Sequence, residues 1–223
     1  MLTVVKVGGG LARERGDDAL RALCAAIGEA ALRHPLLVVP GGGAFADAVR
    51  DADRRFGLPA ATSHRMALLA MDQFGLLLAE LIPGATVGTG LEKRPTVLLP
   101  ATLALAADDL PASWEVTSDA IAAWVAGRAG AGRLVLVKGV DGLYEDGPHA
   151  GAPIAQLSVA RLAELRRAGR AAGVDGHFAA ALAAARVEAW VIGGDPDRLT
   201  GLLDRGEATG TRLPVGDAAG LAR

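Results

Sequence analysis

The chain has 223 residues, a formal charge of −2 and 51% hydrophobic residues. This length suits one domain, or two closely joined lobes, with a substantial core. Because there is no basic excess, the composition argues against nucleic acid or an anionic membrane surface as a partner. Cys24 is the only cysteine, which excludes a disulfide within the chain. The chain opens on an apolar strand without a charged leader, and no apolar run approaches the roughly 20 residues of a membrane span, so we expect a cytoplasmic protein.

Short Val- and Leu-rich runs alternate with longer Ala-rich stretches along the chain. The predicted strands are Thr3–Val7, Leu36–Val39, Thr96–Leu99, Leu134–Val137 and Glu188–Ile192. The predicted helices are Asp17–Arg33, Ala44–Phe56, Ser63–Leu81, Ser118–Gly127, Val159–Ala168, Gly176–Ala185 and Pro196–Asp204. Nearly continuous apolar strands separated by helices of this length are typical of a parallel sheet that is covered on both faces. The pattern therefore predicts an α/β fold with a largely parallel sheet.

One short stretch near the middle of the chain marks a possible boundary. Ala106–Ala112 is acidic and contains a proline close to its end, which is typical of a connection between lobes. We therefore expect one continuous domain made of two lobes, 1–112 and 113–223.

Glycine-rich turns follow the predicted strands, at the sheet edge where α/β proteins bind their ligands. The first two turns are glycine triplets, Gly8–Gly10 and Gly41–Gly43, and Lys6 lies inside the strand before the first of them. Consecutive glycines expose backbone N–H groups, and a helix that starts just behind them adds partial positive charge. Two such turns with a lysine predict a site for two phosphates, or for a phosphate donor that faces its acceptor.

The familiar nucleotide-binding motifs are absent from the sequence. No G-x-x-x-x-G-K-[ST] pattern occurs, and Arg13 stands where a G-x-G-x-x-G motif would need its third glycine. No H-x-E or C-x-x-C pair indicates zinc. These observations argue against a P-loop NTPase, a dinucleotide-binding oxidoreductase and a zinc enzyme.

Four segments in this order resemble the motifs of the amino-acid kinase superfamily. They are Val5–Gly10, Pro40–Gly43, Thr117–Asp119 and Val140–Tyr144, and the resemblance covers nearly the whole chain. It implies a three-layer αβα sandwich with a largely parallel central sheet. It also implies that the lobe 1–112 binds the acceptor and that the lobe 113–223 binds ATP.

Further segments resemble the branch of this superfamily that contains the aminomethylfuranyl-methyl phosphate kinases of methanofuran biosynthesis. They are Ser63–Arg65, Met71–Asp72, Ser113–Trp114, Gly173–Asp175 with Phe178, and Gly193–Arg198. This resemblance implies an ATP-dependent kinase that transfers the γ-phosphate to a small phosphate monoester and makes a diphosphate. It also implies a homo-oligomer. Mg²⁺ is expected because ATP carries it.

Roles at the transfer point follow partly from the residues and partly from the resemblance. Lys6, at the strand end, is placed to bridge the transferring phosphoryl oxygens, since phosphoryl transfer needs positioning and charge neutralisation above all. By resemblance, Asp119 holds the catalytic lysines in place; a plain helix N-cap is the alternative. The residues that resemble the ATP-binding positions are Gly8, Gly9, Gly10, Gly139, Asp141, Gly142 and Tyr144. For Tyr144, simple packing is the alternative.

The acceptor side is assigned in the same way. Gly42, Gly43 and Ser118 resemble acceptor-binding positions. His64 and Arg65 are candidates for the acceptor's own phosphate, because a cation suits a phosphate acceptor better than a neutral alcohol; a solvated helix start is the equal alternative. Asp72 is a candidate for pairing with a ligand amine, and a capping or salt-bridged carboxylate is the equal alternative.

The chain departs from the family pattern at two places. Gly10 replaces the usual serine, which removes a hydroxyl but keeps the backbone donor. The late glycine-rich segment Gly173–Phe178 contains no lysine, whereas many family members carry a second catalytic lysine there. Lys138 is predicted to take over that role from another strand, and His177 is the weaker alternative.

Two other functions remain open from the sequence. One is a kinase for a different small acceptor, such as isopentenyl phosphate or an amino-acid carboxylate. The other is a nucleotide- or oxoanion-binding storage protein without turnover, because a fold alone does not determine a function.

Overall fold

The computed structural model describes residues 1–91, 96–107, 109–145, 151–170 and 173–216. Its strands are β1 (Thr3–Val7), β2 (Leu36–Pro40), β3 (Val87–Gly88), β4 (Val97–Leu98), β5 (Arg133–Lys138), β6 (Glu188–Gly193) and β7 (Gly210–Leu213). Its helices are α1 (Gly10–Arg15), α2 (Asp17–Ala31), α3 (Gly43–Phe56), α4 (Ala60–Leu81), α5 (Ala101–Leu105), α6 (Ser118–Arg128), α7 (Val159–Arg167), α8 (Phe178–Ala185) and α9 (Pro196–Arg205).

The strands form one sheet in the order β3-β4-β2-β1-β5-β6-β7. Neighbouring strands are parallel except for β6 and β7, which are antiparallel. The predicted, largely parallel α/β sheet is therefore confirmed. The sequence prediction did not include the short elements α1, β3, α5 and β7.

Alternate residues of the strands enter two different cores, which makes the protein a three-layer sandwich. Val5 and Val7 of β1 pack on one face with residues of α1, α2 and α9. Val4 of β1, with Leu134 and Leu136 of β5, packs on the other face with residues of α6, α7 and α8. Because side chains alternate along a strand, Lys6 lies on the α6 face together with Val4, and Lys138 lies there with Leu136.

Local sequence signals fix where individual helices begin and end. The Asp195 carboxylate accepts a hydrogen bond from the Asp197 N–H at the start of α9, and Pro196 occupies the first turn. Gly206 ends α9 with a φ of 81°, a left-handed conformation that favours glycine. The sequence itself thus supplies the start and the stop of this helix.

The two halves of the chain meet in the middle of the sheet. Strands β1 to β4 come from the first half and β5 to β7 from the second, and the halves join where β1 pairs with β5. The carboxyl ends of β2, β1 and β5 therefore lie side by side. In the part of the chain that the structure describes, no helix is long and apolar enough to cross a membrane.

Candidate functional site

The two glycine triplets contact each other backbone to backbone at the carboxyl ends of β1 and β2. The Gly41 N–H donates to the Val7 carbonyl at 2.8 Å, and the Gly8 N–H donates to the Val137 carbonyl at 2.9 Å. A Cβ on Gly9 would collide with the backbone of Gly43, which itself has a φ of 55°. Only glycine permits this approach, so the triplets hold the turns after β1, β2 and β5 together.

Next to these turns, one carboxylate joins two lysines. Lys6 Nζ lies 2.9 Å from Asp119 Oδ1, and Lys138 Nζ lies 2.6 Å from Asp119 Oδ2. The side chains of Lys6 and Asp119 are each 5% exposed, and that of Lys138 is 15% exposed. We call this set of three residues the lysine clamp. It forms because both strands present their lysine on the face where α6 begins.

Burial and charge act against each other within the lysine clamp. Burial lowers the pKa of Lys6 against the attraction of Asp119. Burial alone would raise the pKa of Asp119, but the ammonium groups of Lys138 and Lys6 outweigh it and hold that pKa well below its usual range. Asp119 therefore stays ionised at neutral pH and keeps both lysines directed at the glycine turns.

Asp175 supports the lysine clamp and was not among the predicted site residues. Its Oδ2 accepts hydrogen bonds from the Thr117 N–H, the Thr117 hydroxyl and the Ala120 N–H. Its own N–H donates to Asp119 Oδ2 at 3.3 Å. Burial and the neighbouring Asp119 carboxylate raise the pKa of Asp175. The Asp175 carboxylate, from the late glycine-rich segment, thus caps the start of α6, and the Asp175 backbone N–H braces Asp119.

A cavity lies above the lysine clamp, and we call it the transfer cavity. One side of α3 lines it at helical spacing, with Gly43, Ala46, Asp47 and Arg50. The clamp residues line it as well, together with Gly8, Gly9, Gly10 and Gly42. The further lining residues include Arg13, Glu14, Thr117, Ser118, Gly139 and Gly173. Cations and backbone amides dominate at the base of this cavity, which suits it for polyanionic groups.

A second, more apolar cavity opens beside the first, and we call it the side cavity. Its empty volume is about 460 Å³ when the space open to solvent is included. Both cavities share the residues Gly42, Ala46, Arg50, Thr117 and Ser118. The residues that line the side cavity alone are His64, Ala67, Leu68, Met71, Ser113, Trp114, Val116 and Ile121. Both cavities combine residues from both sides of the lobe boundary predicted at residue 112.

Arg50 stands at the junction of the two cavities, and the sequence analysis missed it. Its guanidinium lies over the Trp114 ring at 5.4 Å from the centroid and donates to Asp47 at 2.8 Å. Trp114 is held in turn, because its Nε1–H donates to Asp53 at 2.8 Å. Arg50 follows Gly43 by two helical turns, so spacing from the glycine turn was the signal that could have identified it.

The structure places the predicted acceptor residues in different surroundings. Gly42, Gly43 and Ser118 line the transfer cavity, and His64 lines the side cavity. Arg65 is exposed and lines neither cavity, whereas Arg50 lines both. Asp72 also lies outside both, and its carboxylate accepts a hydrogen bond from the Ala101 N–H at 3.0 Å at the start of α5. This contact matches the capping alternative for Asp72.

The turn after β5 holds a second aspartate between two cations. Asp141 pairs with Arg15 and with Arg198, whose Nη1 lies 2.9 Å from Oδ1. Arg15 Nε also donates to the Gly139 carbonyl at 2.7 Å. Burial would raise the pKa of Asp141, but Arg198 and Arg15 lower it below its usual value. Gly142 and Tyr144 lie buried behind this turn.

The two candidates to replace the missing late lysine, Lys138 and His177, lie in different sites. Lys138 belongs to the lysine clamp. His177 lines a separate groove between α6 and α8, next to Trp124 and Arg128. Within the described ranges, no three His, Cys, Asp or Glu side chains converge as a metal site.

Comparison with known proteins gives both a family and relatives. The model of the amino acid kinase family matches residues 1–87 and 84–192. A (5-(aminomethyl)furan-3-yl)methyl phosphate kinase of Methanocaldococcus jannaschii is 29% identical over 152 residues, which are 65% of this chain and 69% of the relative.

Solved structures resemble the chain over nearly its full length. A uridylate kinase from Archaeoglobus fulgidus has a TM-score of 0.75 at 23% identity, covering 96% of this chain and 100% of its own. A UMP kinase from Bacillus anthracis has a TM-score of 0.70 at 17% identity, covering 97% and 96%. At these identities the structural likeness bears on the fold alone.

Proposed function

The chain belongs to the amino acid kinase family and is an ATP-dependent phosphotransferase, and we propose that its acceptor is a small phosphate monoester, which it converts to a diphosphate. The observation that carries this proposal is the lysine clamp beneath a cavity that continues, past Arg50, into a small apolar cavity. The donor would lie over the clamp and the acceptor in the side cavity.

The residues at the base of the transfer cavity fit the triphosphate of ATP. Two lysines held by one carboxylate leave a net positive charge, and the glycine turns add backbone N–H groups without side chains in the way. In phosphoryl transfer the protein chiefly positions the groups and neutralises the developing charge. We assign the bridging contact with the transferring phosphoryl group to Lys6 and Lys138, and the holding of both lysines to Asp119.

Mg²⁺ would enter together with the nucleotide. Since no cluster of three ligating side chains occurs among the described residues, ATP phosphates and water would supply most of its ligands, as is usual for this ion. Bound in this way, Mg²⁺ would neutralise phosphate charge, and Lys6 and Lys138 would contact the transferring group.

The position of Arg50 supports a phosphate on the acceptor. Arg50 lines both cavities, and a planar guanidinium suits a phosphate in two-point contact. An ionised phosphate is already a nucleophile, so transfer to it needs no general base to remove a proton. A ring or short chain attached to that phosphate would fill the apolar part of the side cavity. The substrate for which the Methanocaldococcus jannaschii relative is named, a furan methyl phosphate, has this form.

Release of ADP in the presence of single acceptors tests the proposal. The full chain with ATP and Mg²⁺ is given (5-(aminomethyl)furan-3-yl)methyl phosphate, isopentenyl phosphate, UMP and amino acids in separate reactions. We expect acceptor-dependent ADP release with the furan phosphate, and ³¹P NMR should show the coupled signals of a diphosphate product.

Lys6→Met is the matched control, because it removes one ammonium group from the clamp and keeps a side chain of similar length. It should lower the acceptor-dependent rate by about 10²- to 10³-fold while the protein stays folded. Release of ADP with amino acids alone, or ATP binding without transfer to any phosphate monoester, would contradict the proposal. The expected homo-oligomer stays a prediction that light scattering can check.

A further inference from the structure

A second carboxylate joins two cations in the outer part of the transfer cavity. Asp47 Oδ1 accepts a hydrogen bond from Arg50 Nη1 at 2.8 Å, and Asp47 Oδ2 accepts one from Arg13 Nη1 at 3.2 Å. All three residues line the transfer cavity, and we call them the arginine bridge. Their side chains are 43% to 67% exposed, so they lie nearer the solvent than the buried lysine clamp. The cavity therefore has cations at its base and at its outer side.

The arginine bridge connects the helices that follow the two glycine turns. Arg13 lies on α1, which begins at Gly10 of the first triplet. Asp47 and Arg50 lie on α3, which begins at Gly43 of the second triplet. Arg50 lines both cavities, whereas Arg13 lines only the transfer cavity. Under the proposed function, Arg13 therefore faces the donor phosphates, and Arg50 faces the junction with the acceptor.

The absence of a side chain at residue 10 leaves room for Arg13. A Cβ atom on Gly10 would lie 3.3 Å from Arg13 Nη2 and 2.9 Å from Glu14 Oε1. The Arg13 guanidinium thus lies close to the backbone of the first glycine turn, in space that the serine of the family pattern would enter. This chain has no hydroxyl donor there and instead places the N–H donors of a guanidinium at the same turn.

The contacts of Arg13 with other side chains contribute little to folding. Its pairs with Asp47, at 3.2 Å, and with Glu14, at 3.7 Å, are both exposed, and exposed ion pairs stabilise a fold only slightly. Among the described residues, its guanidinium makes one hydrogen bond, to Asp47. Further N–H groups can therefore turn to phosphate oxygens, which arginine matches in two-point contact.

Transfer to a phosphate brings the β-phosphate, the γ-phosphate and the acceptor phosphate side by side. An oxygen of the acceptor phosphate forms a bond to the γ-phosphorus, the bond from that phosphorus to the β,γ-bridging oxygen breaks, and its electron pair leaves with ADP. All of these groups are anionic, so the transfer needs cations around the moving group. The lysine clamp lies beneath them, and the arginine bridge, with two cations on one carboxylate, adds positive charge from the outer side.

We propose that Arg13 donates hydrogen bonds to the phosphoryl group during its transfer, from the outer side of the transfer cavity, and that Asp47 positions Arg13 beside Arg50. The inference rests on the proposed function. Arg13 is then a catalytic residue in addition to Lys6 and Lys138, and Asp47 is a positioning residue that acts through Arg13.

Arg13→Met tests this contact, because it removes the charge and the donors of Arg13 and keeps a side chain of similar length. Steady-state rates are measured with ATP, Mg²⁺ and (5-(aminomethyl)furan-3-yl)methyl phosphate. We expect kcat to fall by about 10- to 100-fold, since a hydrogen bond to a charged group is lost in the transition state. The KM of both substrates should change little, and the urea midpoint should stay at the wild-type value.

Arg54→Met is the matched control. Arg54 is 70% exposed, against 67% for Arg13, and it pairs with Asp51 of the same helix and lines neither cavity, so kcat should be kept. Arg13→Lys, which keeps the charge without the planar fork, should recover part of kcat. The loss of kcat that Asp47→Asn causes should be smaller in the Arg13→Met background than in the wild type. The same loss in both backgrounds would overturn the positioning role of Asp47.

Calorimetry with ADP, Mg²⁺ and aluminium fluoride gives a readout that does not depend on the acceptor. Aluminium fluoride mimics the phosphoryl group in its transition state, so we expect it to tighten the binding of ADP to the wild type. Arg13→Met should reduce that gain by about 10- to 100-fold, and Arg54→Met should keep it. An equal gain in the wild type and in Arg13→Met, or an unchanged kcat in Arg13→Met, would overturn the inference. If no phosphate monoester supports ADP release but Arg13→Met still loses the gain, the proposed acceptor is refuted and the assignment of Arg13 stands.

Discussion

Two aspartates near the carboxyl end of β5 are each held by two cations, but their surroundings differ. Asp119 joins Lys6 and Lys138 with a side chain that is 5% exposed. Asp141 joins Arg15 and Arg198 with a side chain that is 36% exposed. Charges removed from water interact strongly and depend on each other, whereas exposed ion pairs contribute little. The same arrangement of charges therefore holds its side chains rigidly around Asp119 and only loosely around Asp141.

The difference in burial also indicates a difference in role. A buried carboxylate between two lysines fixes both ammonium groups before any ligand arrives, so that they need little reorganisation during phosphoryl transfer. The arginines around Asp141 keep access to water and can exchange partners. We therefore expect the lysine clamp to be sensitive to every substitution, and the Asp141 turn to tolerate most of them.

Neutralising each aspartate in turn is the most direct test of this difference between the two sites. Asp119→Asn leaves two buried lysines without a counter-charge, so we expect a loss of about 3–5 kcal/mol in the free energy of unfolding together with loss of turnover. Asp141→Asn should lower the free energy of unfolding by less than about 1 kcal/mol. Urea unfolding of both variants measures the two values. Equal losses in the two variants would show that burial does not distinguish the sites.

Much of the fold could be predicted from the sequence, because buried parallel strands are apolar on both faces. β1, β2, β5 and β6 were located nearly to the residue, and the helices between them followed from length and composition. The missed elements have no such signal. β3 has two residues, α1 has six, and β7, Gly-Thr-Arg-Leu, pairs as an antiparallel edge without a continuous apolar run. Tertiary pairing, and not local sequence, determines these elements.

The sequence could predict the glycine turns and the two lysines of the candidate site. Glycine triplets at strand ends mark the turns, and Lys6 and Lys138 stand out as charges in or beside apolar strands. Arg50 was hidden because α3 carries several arginines, and only the fold shows which one faces the cavities. Asp175 was hidden for a similar reason, since its contacts join segments that are more than 50 residues apart in the chain.

The next largest effect, a loss of kcat, is expected when one lysine of the clamp is removed. Lys6→Met and Lys138→Met each remove a donor from the transfer point, and loss of one such group lowers kcat by about 10²- to 10³-fold. Arg198→Met, which removes one cation from Asp141, should change kcat by less than about threefold. Steady-state rates with ATP and the acceptor measure this, and the urea midpoint confirms that each variant is folded. Full activity in Lys138→Met would remove Lys138 from the mechanism.

Removing the Asp175 carboxylate should have a smaller effect on kcat, and little effect on the KM for ATP. In Asp175→Ala the N–H groups of Thr117 and Ala120 lose their acceptor, so we expect a loss of about 1–3 kcal/mol in the free energy of unfolding. The backbone N–H that donates to Asp119 remains in this variant, but the side chain no longer fixes its position through Thr117 and Ala120. A displaced catalytic group lowers kcat by about 10- to 100-fold, whereas the KM for ATP should change little.

Asp175→Asn keeps one oxygen that can accept the same hydrogen bonds, and it is the matched variant for this test. It should retain most of the stability and most of kcat. If Asp175→Asn were as damaged as Asp175→Ala, the negative charge of Asp175, and not its capping of α6, would be what the lysine clamp requires.

The smallest expected effect comes from salt, and it separates the two aspartates without any further substitution. At about 1 M salt the screening length falls to about 3 Å, so exposed pairs lose most of their attraction while buried pairs keep theirs. The difference in free energy of unfolding between wild type and Asp141→Asn should therefore be present at about 0.05 M salt and vanish at about 1 M salt. The difference between wild type and Asp119→Asn should persist over the same range. Urea titrations at both salt concentrations provide the measurement. A collapse of the Asp119 difference in high salt would mean that water and ions reach the lysine clamp, and that its geometry is not fixed in advance of the ligand.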